Sequence, residues 1–489
     1  MKNKHTQLIS LTVLVCSLVF SACDKFLTVN PPYTQDAENY FQSPEDYEQA
    51  LVGAYDLLQG TFMSVWISEI ASNNTIAGGE SVNDTQGLHQ IDEMTHGGVN
   101  TELRNLFRWN YAGITRCNFI MENKDNIEFS GKDKVLAEAK FLRAFYYFEL
   151  VKFFGDVPLV IDERIGAQEV TEIKRTPVSQ VYAQIEKDLL DAYSVLDQVS
   201  LIKGKATKGA AMALLGKVFL YQKKYSAAAN VLDEVINSGT YSLIDDYADL
   251  FSVANENNSE TVFDVEYTGA EGGSYGCLIC LEGNAGPGFQ GIRQYDGPIY
   301  GDGNSYNLPT QNLYDAFDPT DPRRDMTILD IDAFIAEQAN PESITYGIGA
   351  GGHTGYYNNK YIKRQNELGL PDNDLTSPVN YRVIRYADVL LMAAEAHFQN
   401  GNVSQAQNNL NQVRSRVGIE TITVNSIDDI FNERRLELAC EGHWFFDLVR
   451  WGKAEEAIED FQLGTHELFP IPTLEIDLAG GNWSQNNGY

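Results

Sequence analysis

Two stretches of this chain repeat one another at an offset of 178 residues, and that periodicity constrains the fold more than any other feature. In residues 206–238, Ala211, Leu214, Leu215 and Leu220 keep the three- and four-residue spacing of a helix. Lys223-Lys224-Tyr225 then makes a turn, and Ala228, Leu232 and Val235 resume the spacing. Residues 383–415 do the same with Leu390, Ala393, Ala394 and Phe398, a turn at Asn400-Gly401-Asn402, and Ala406, Leu410 and Val413. A small alanine where two antiparallel helices touch is the mark of a helix-hairpin repeat. One such hairpin cannot bury its apolar face alone, so neighbours must stack on it.

Further helices supply those neighbours. Helical spacing runs through residues 101–124 (Leu103, Leu106, Phe107, Tyr111, Ile114) and 132–154 (Val135, Ala139, Leu142, Tyr146, Leu150), and another pair falls at 426–461. Ser43-Pro44-Glu45-Asp46 gives an N-cap, an N1 proline and an acidic first turn to a helix ending near Gly60. Gly155-Asp156-Val157-Pro158 stops the 132–154 helix, and Thr176-Pro177 opens one running to about Leu196. The predicted fold class is mainly α: about four tetratricopeptide-like helix hairpins in a right-handed stack, with long loop-rich insertions carrying minor β structure. At 489 residues and 43% hydrophobic, the chain can bury a large core.

The insertions are residues 66–100 and 261–380. The second has one strand-like run, Thr261 to Tyr267, and is otherwise rich in Gly, Tyr, Asn and Asp. Plain connections are about six residues long, so loops of this length are functional or ordered by packing. They carry Trp66, Tyr275, Phe289, Tyr295, Tyr300 and Tyr306. A flat ring packs on the CH face of a sugar while neighbouring amides and charges bind its hydroxyls; each ring taken singly also suits pinning the insertion to the helices. The candidate ligand residues are Trp66, Asn73, Asn74, His89 and Asp92 in the first insertion and Arg293, Tyr295, Tyr300 and Asp302 in the second.

Residues 1–22 have a lysine-bearing start, an apolar run from Leu8 to Val19 and small residues at Ser21-Ala22, which describes a cleaved secretory signal. Ser21-Ala22-Cys23 resembles a lipobox, so Cys23 is the expected acylation site and the membrane contact is a lipid anchor. Acidic residues outnumber basic ones 68 to 36, a formal charge of −32, which argues against nucleic-acid partners. Cys277-Leu-Ile-Cys280 lacks the second Cys/His pair of a zinc site and reads as a disulfide or two buried thiols, so no metal or cofactor is expected. Gly272-Gly-Ser274-Tyr-Gly276 lacks the strand and helix of a nucleophile elbow, and Gly347-Ile-Gly349-Ala-Gly351-Gly352 lacks those of a dinucleotide fingerprint.

Near the C-terminus, Arg385-Tyr-Ala-Asp-Val-Leu-Leu-Met-Ala-Ala-Glu395-Ala, Glu433-Arg-Arg-Leu-Glu437 and Glu441-Gly-His-Trp-Phe-Phe-Asp-Leu-Val-Arg-Trp-Gly452 resemble the SusD/RagB-type outer-membrane lipoproteins. So do Phe469-Pro-Ile-Pro472, the final Gln485-Asn-Asn-Gly-Tyr489, Ala137 to Ala144, and Asp318-Pro-Thr-Asp-Pro-Arg323-Arg. The resemblance covers the whole chain and divides it into a signal (1–22), an N-terminal SusD-like part (about 23–240), the insertion (about 261–380) and a C-terminal helical part (about 381–489). Two departures stand out: Trp444 where many members carry Arg, and Ser72-Asn73-Asn74 where many carry Ser-Asp-Asp.

The matching segments read as structural, with Arg434 and Arg435 beside Glu437, Glu441, Asp388, Glu395 and Arg385 tying helices together, and Phe445 and Trp451 in the core. The resemblance implies a non-catalytic, cell-exterior, outer-membrane partner of a SusC-like TonB-dependent transporter that captures glycan. A neutral β-glucan of the laminarin kind is the favoured cargo of so acidic a chain. A peptide-binding lid and a surface glycoside hydrolase are the alternatives.

Overall fold

The computed structural model describes residues 40–161, 163–166, 168–273, 282–367 and 375–489. The leader with Cys23, and Ser274, Tyr275, Cys277 and Cys280, lie outside them. The helices of the frame are α1 (Pro44–Asp56), α2 (Thr61–Ile70), α3 (Thr101–Glu122), α4 (Lys132–Phe154), α5 (Val178–Val195), α6 (Lys208–Tyr221) and α7 (Tyr225–Asn237). After the second insertion come α8 (Tyr386–Gln399), α9 (Val403–Arg416), α10 (Ile427–Glu437) and α11 (Trp444–Trp451). Ser43 and Asp46 close a reciprocal capping box at the start of α1, with Pro44 at N1. Asn100 accepts from the Glu102 and Leu103 amides to begin α3.

Helices α3 to α7 pack each on the next in chain order, and α8 then packs on α7 as though nothing intervened, followed by α9 on α8 and α10 across it. The second insertion is therefore looped out between two neighbours of one stack. The repeat is reproduced in its turns: Lys224 N donates to Phe219 O and Lys223 N to Leu220 O, while Asn402 N donates to His397 O and Gly401 N to Phe398 O. Ala228, Leu232, Ala406 and Leu410 are all fully buried.

The sequence reading runs the second hairpin from residue 383, but Tyr381–Arg385 is a strand and α8 starts at Tyr386. This strand pairs antiparallel with Thr261–Val265, Tyr381 opposite Val265 and Arg385 opposite Thr261. The ladder wins over helix because it satisfies the backbone of a wholly buried segment and closes the neck of the insertion.

A buried, neutral charge node anchors that neck. Five carboxylates (Glu260, Asp321, Glu433, Glu437, Glu441) meet five cations (Arg323, Lys360, Arg385, Arg414, Arg416). Arg385 bonds Glu441 at 2.8 Å and Glu260 at 2.9 Å, and Arg323, from the Asp-Pro-Arg turn, reaches Glu433 at 2.6 Å. The Arg416, Arg385 and Arg323 guanidiniums hold Glu437 well below the usual carboxylate range against its burial. Arg434 joins Asp388 and Asp447, and Arg450 joins Glu395.

Arg435 departs from expectation: its Nε donates to Asn74 Oδ1 at 2.9 Å and its Nη2 to Asn312 Oδ1 at 2.6 Å, so it ties α10 to both insertions. Phe445 is core, and Trp451, half-buried, stacks on Phe431. Cys117 and Cys440 are buried free thiols. Among the described residues no helix is long and apolar enough to cross a membrane.

Candidate functional site

The two insertions meet through backbone. Strand Thr75–Gly78 pairs antiparallel with Tyr306–Pro309, Thr75 opposite Pro309 and Gly78 opposite Tyr306. Gly79 N extends the ladder to Ser305 O at 2.7 Å. A third segment lies across this pair: Gly347 N donates to Arg293 O and Ala350 N to Glu80 O, each at 2.7 Å. A Cβ on Gly349 would sit 2.0 Å from Gly79 O, and one on Gly351 2.2 Å from Gly78 O. The glycine run is thus required for backbone to lie flush on backbone.

The junction stores strain. Thr85, Gln294, Ile299, Ser305 and Asn307 all have positive φ, from 51° to 72°, without being glycine. For β-branched Ile299 the conformation is a genuine outlier. Such residues persist only where the surroundings over-determine them, as at ligand sites. Underneath, Thr75 Oγ1 donates to Asn307 Oδ1, and Asn307 and Asn358 both donate to Gln290 Oε1, at 3.2 and 2.7 Å.

Among the rings weighed as a platform, Trp66, Tyr295, Tyr300 and Tyr306 point inward instead. Trp66, 8% exposed, meets Phe289 edge-on at 5.0 Å and lies nearly parallel to Tyr306 at 6.2 Å. Its Nε1 has no hydrogen-bond partner among the described residues. Tyr295 and Tyr300 belong to a small core with Ile292, Leu308, Leu329, Ile331, Tyr357 and Ile362, and their hydroxyls donate to Pro298 O and Asn359 Oδ1. Burial drives them in: each ring removed from water contributes roughly 2 kcal/mol, and an insertion remote from the helical core needs a core of its own.

The polar candidates divide likewise. Asn74 and His89 are buried, and Asp92 accepts from Ala77 N at 2.9 Å, its carboxyl pushed up to about 6 by burial. Asn73 is half-buried and accepts from Trp444 Nε1 at 2.8 Å. Arg293 is half-buried, 3.1 Å from Glu80, and Asp302 is exposed. The structure therefore brings Trp66 close to the Arg293 segment through Phe289 and Tyr306, whereas Asn73 and Asn74 face α10 and α11.

Glu80, Gln294, Tyr306 and the 347–352 run complete the junction; the sequence singles out Tyr306 only as one of the insertion rings and the glycine run only as a failed dinucleotide fingerprint, and it does not point to Glu80 or Gln294. Glycine at 347, 349 and 351 is the signal for the run, since alternate glycines leave one face of an extended segment bare.

A stack of helix hairpins carrying two interlocked, strained, polar-rimmed insertions is a helical-repeat binding scaffold. Family models fix which one: residues 224–467 match the model described as "SusD family" and residues 25–220 the one described as "Starch-binding associating with outer membrane". The chain belongs to the SusD family.

It is similar to a solved laminarin-binding SusD-like protein, at 35% identity over 92% of this chain and 100% of that one, TM-score 0.84. It is also similar to surface glycan-binding protein A from Bacteroides thetaiotaomicron, solved with laminarihexaose, at 26% identity over 91% and 99%, TM-score 0.82. SusD-like protein P25 of Formosa agariphila is 25% identical over 96% of this chain and 98% of its own.

Proposed function

We propose that this is a glycan-binding lipoprotein, anchored in the outer membrane through acylated Cys23 and facing the cell exterior, which captures saccharide without turnover. It passes the saccharide to a SusC-like TonB-dependent transporter, and binding of sugar between the two favours their closed state by its extra affinity for that state. The observation that carries this reading is the weaving of both insertions into one pre-formed platform. Pre-formed geometry lowers the ordering cost that limits affinity for a flexible sugar.

Arg293 and Asp302 offer polar atoms at the surface of the junction, Trp66, Tyr295, Tyr300, His89 and Asp92 support the platform from beneath, and Asn73 and Asn74 fasten the first insertion to α10 and α11. A neutral β-glucan of the laminarin type suits this rim. Arg293 is already paired with Glu80, while Asp296 and Asp302 are exposed beside it, so a polyanion would meet net repulsion. The names of the relatives, laminarin-binding and laminarihexaose-bound, point the same way.

The test is affinity electrophoresis of the mature protein through gels holding laminarin, starch or alginate, repeated with Arg293→Ala and Asp302→Ala. Laminarin retards the wild type, each variant loses most of the retardation, and no reducing ends appear. Unchanged mobility of both variants rejects the site, and retention on peptide matrices alone, or release of reducing ends, replaces the function.

A further inference from the structure

Away from the junction, three hollows adjoin one another through shared wall residues. The outermost is an open groove of about 590 Å³. Its walls include the Tyr241 and Tyr386 rings, 6.5 Å apart and inclined by 27°, with Asn408, Gln412 and Ser415 of α9. Positions 408, 412 and 415 are three and four apart, so their polar side chains share one helix face. Tyr241 also walls the next hollow, of about 200 Å³, together with Thr240, Asn257, Asn258 and Lys203.

The third, of about 280 Å³, shares Ile202, Lys203, Gly204, Lys205 and Asp264 with the second and ends at Gln59 and Glu282. From Glu282 the chain passes directly to the short helix Gly286–Gln290, whose Phe289 packs on Trp66 at the junction.

The dividing loop is fitted closely: Gly204 has φ +74°, and a Cβ there would meet Glu266 Cγ at 2.6 Å. Below it, Asp264, 2% exposed, lines both inner hollows: its Oδ2 lies 3.7 Å from Arg382 Nε, while its Oδ1 has no hydrogen-bond partner among the described residues. Glu266 in the third hollow accepts from Asn257 on Oε2 at 3.3 Å, and its Oε1 likewise has no partner among the described residues. Buried acceptors left unsatisfied are destabilising, and a hydroxyl-rich ligand or water offers the missing donor. A tyrosine pair beside amides, hydroxyls and carboxylate oxygens with acceptor capacity to spare is the chemistry that recognises sugars.

We infer that the three hollows form a track for the continuation of a neutral polysaccharide beyond the junction, so that the protein holds long chains better than short ones. This rests on the glycan reading above and names its substrate class as polymer. Contacts added along one chain raise affinity through effective concentration, without any stronger single contact.

The test is calorimetric titration of the mature protein with laminarihexaose and with laminarin polymer. The variants are Tyr241→Ala and the exposed pair Asn408→Ala/Gln412→Ala, with Arg293→Ala at the junction. Each track variant weakens the polymer about tenfold and leaves the hexaose within about twofold, whereas Arg293→Ala weakens both. The exposed pair keeps the test valid should Tyr241→Ala fail to fold. Track variants that bind polymer as the wild type does, or that weaken hexaose equally, overturn the inference. Failure of the wild type to bind either sugar overturns the glycan reading itself.

Discussion

Glu69 shows how a single buried group sets the response to pH. Burial pushes its carboxyl up to about 7, against the help of the Gly442 amide that it accepts at 2.6 Å. A folded value above the unfolded one means that, between about pH 4.5 and 7, the folded protein holds a proton that the unfolded chain releases. Stability therefore falls as pH rises through that window. Glu69→Gln keeps the acceptor and abolishes the titration, so its melting temperature should drop less than that of the wild type between pH 5 and 7.5. Scanning calorimetry across that range checks it, and parallel profiles contradict it.

Residue by residue, the two departures from the family pattern also prove to be one. Trp444 donates to Asn73, and Arg435 lies over the Trp444 ring at 5.0 Å, so the two positions join in one neutral indole–amide bond. Neither position suggests the other in the sequence, because 371 residues separate them.

Among the elements, the repeated hairpin offers an internal comparison. Lys223 and Gly401 hold equivalent turn positions with φ of 58° and 79°. The left-handed conformation burdens lysine and suits glycine. Lys223→Gly should therefore stabilise by up to about 1 kcal/mol and Gly401→Ala should cost about as much, read from urea denaturation midpoints. Equal and opposite failure, with Lys223→Gly destabilising, would show that unfolded-state entropy dominates the turn.

The hairpins were legible because their 3.6-residue spacing is local, as was the cap at Ser43, whereas the cap at Asn100 emerged only with the structure. The strand Tyr381–Arg385 was not, since Val383 and Ile384 run straight into the apolar pattern of α8 and only the distant Thr261–Val265 makes them a ladder.

At the scale of the molecule, frame and insertion are separable in design but joined by the strand neck and the ten-group charge node. Removing one partner from such a node costs about 3–5 kcal/mol, which makes it a hinge-free mount for the platform. The chemistry of the site was visible in the sequence as rings, amides and glycines, while its exposure was not. Trp66 is covered by Phe289 and Tyr306, residues more than 220 positions away, and no local pattern encodes which loop lands on which ring.

If both insertions act as one sugar-binding platform, hydrogen exchange of the mature protein with and without laminarihexaose reads it out. Exchange slows at residues 75–80, 292–307 and 347–352 together, with the helical stack unchanged. Protection confined to one insertion, or found only along the helices, would contradict it.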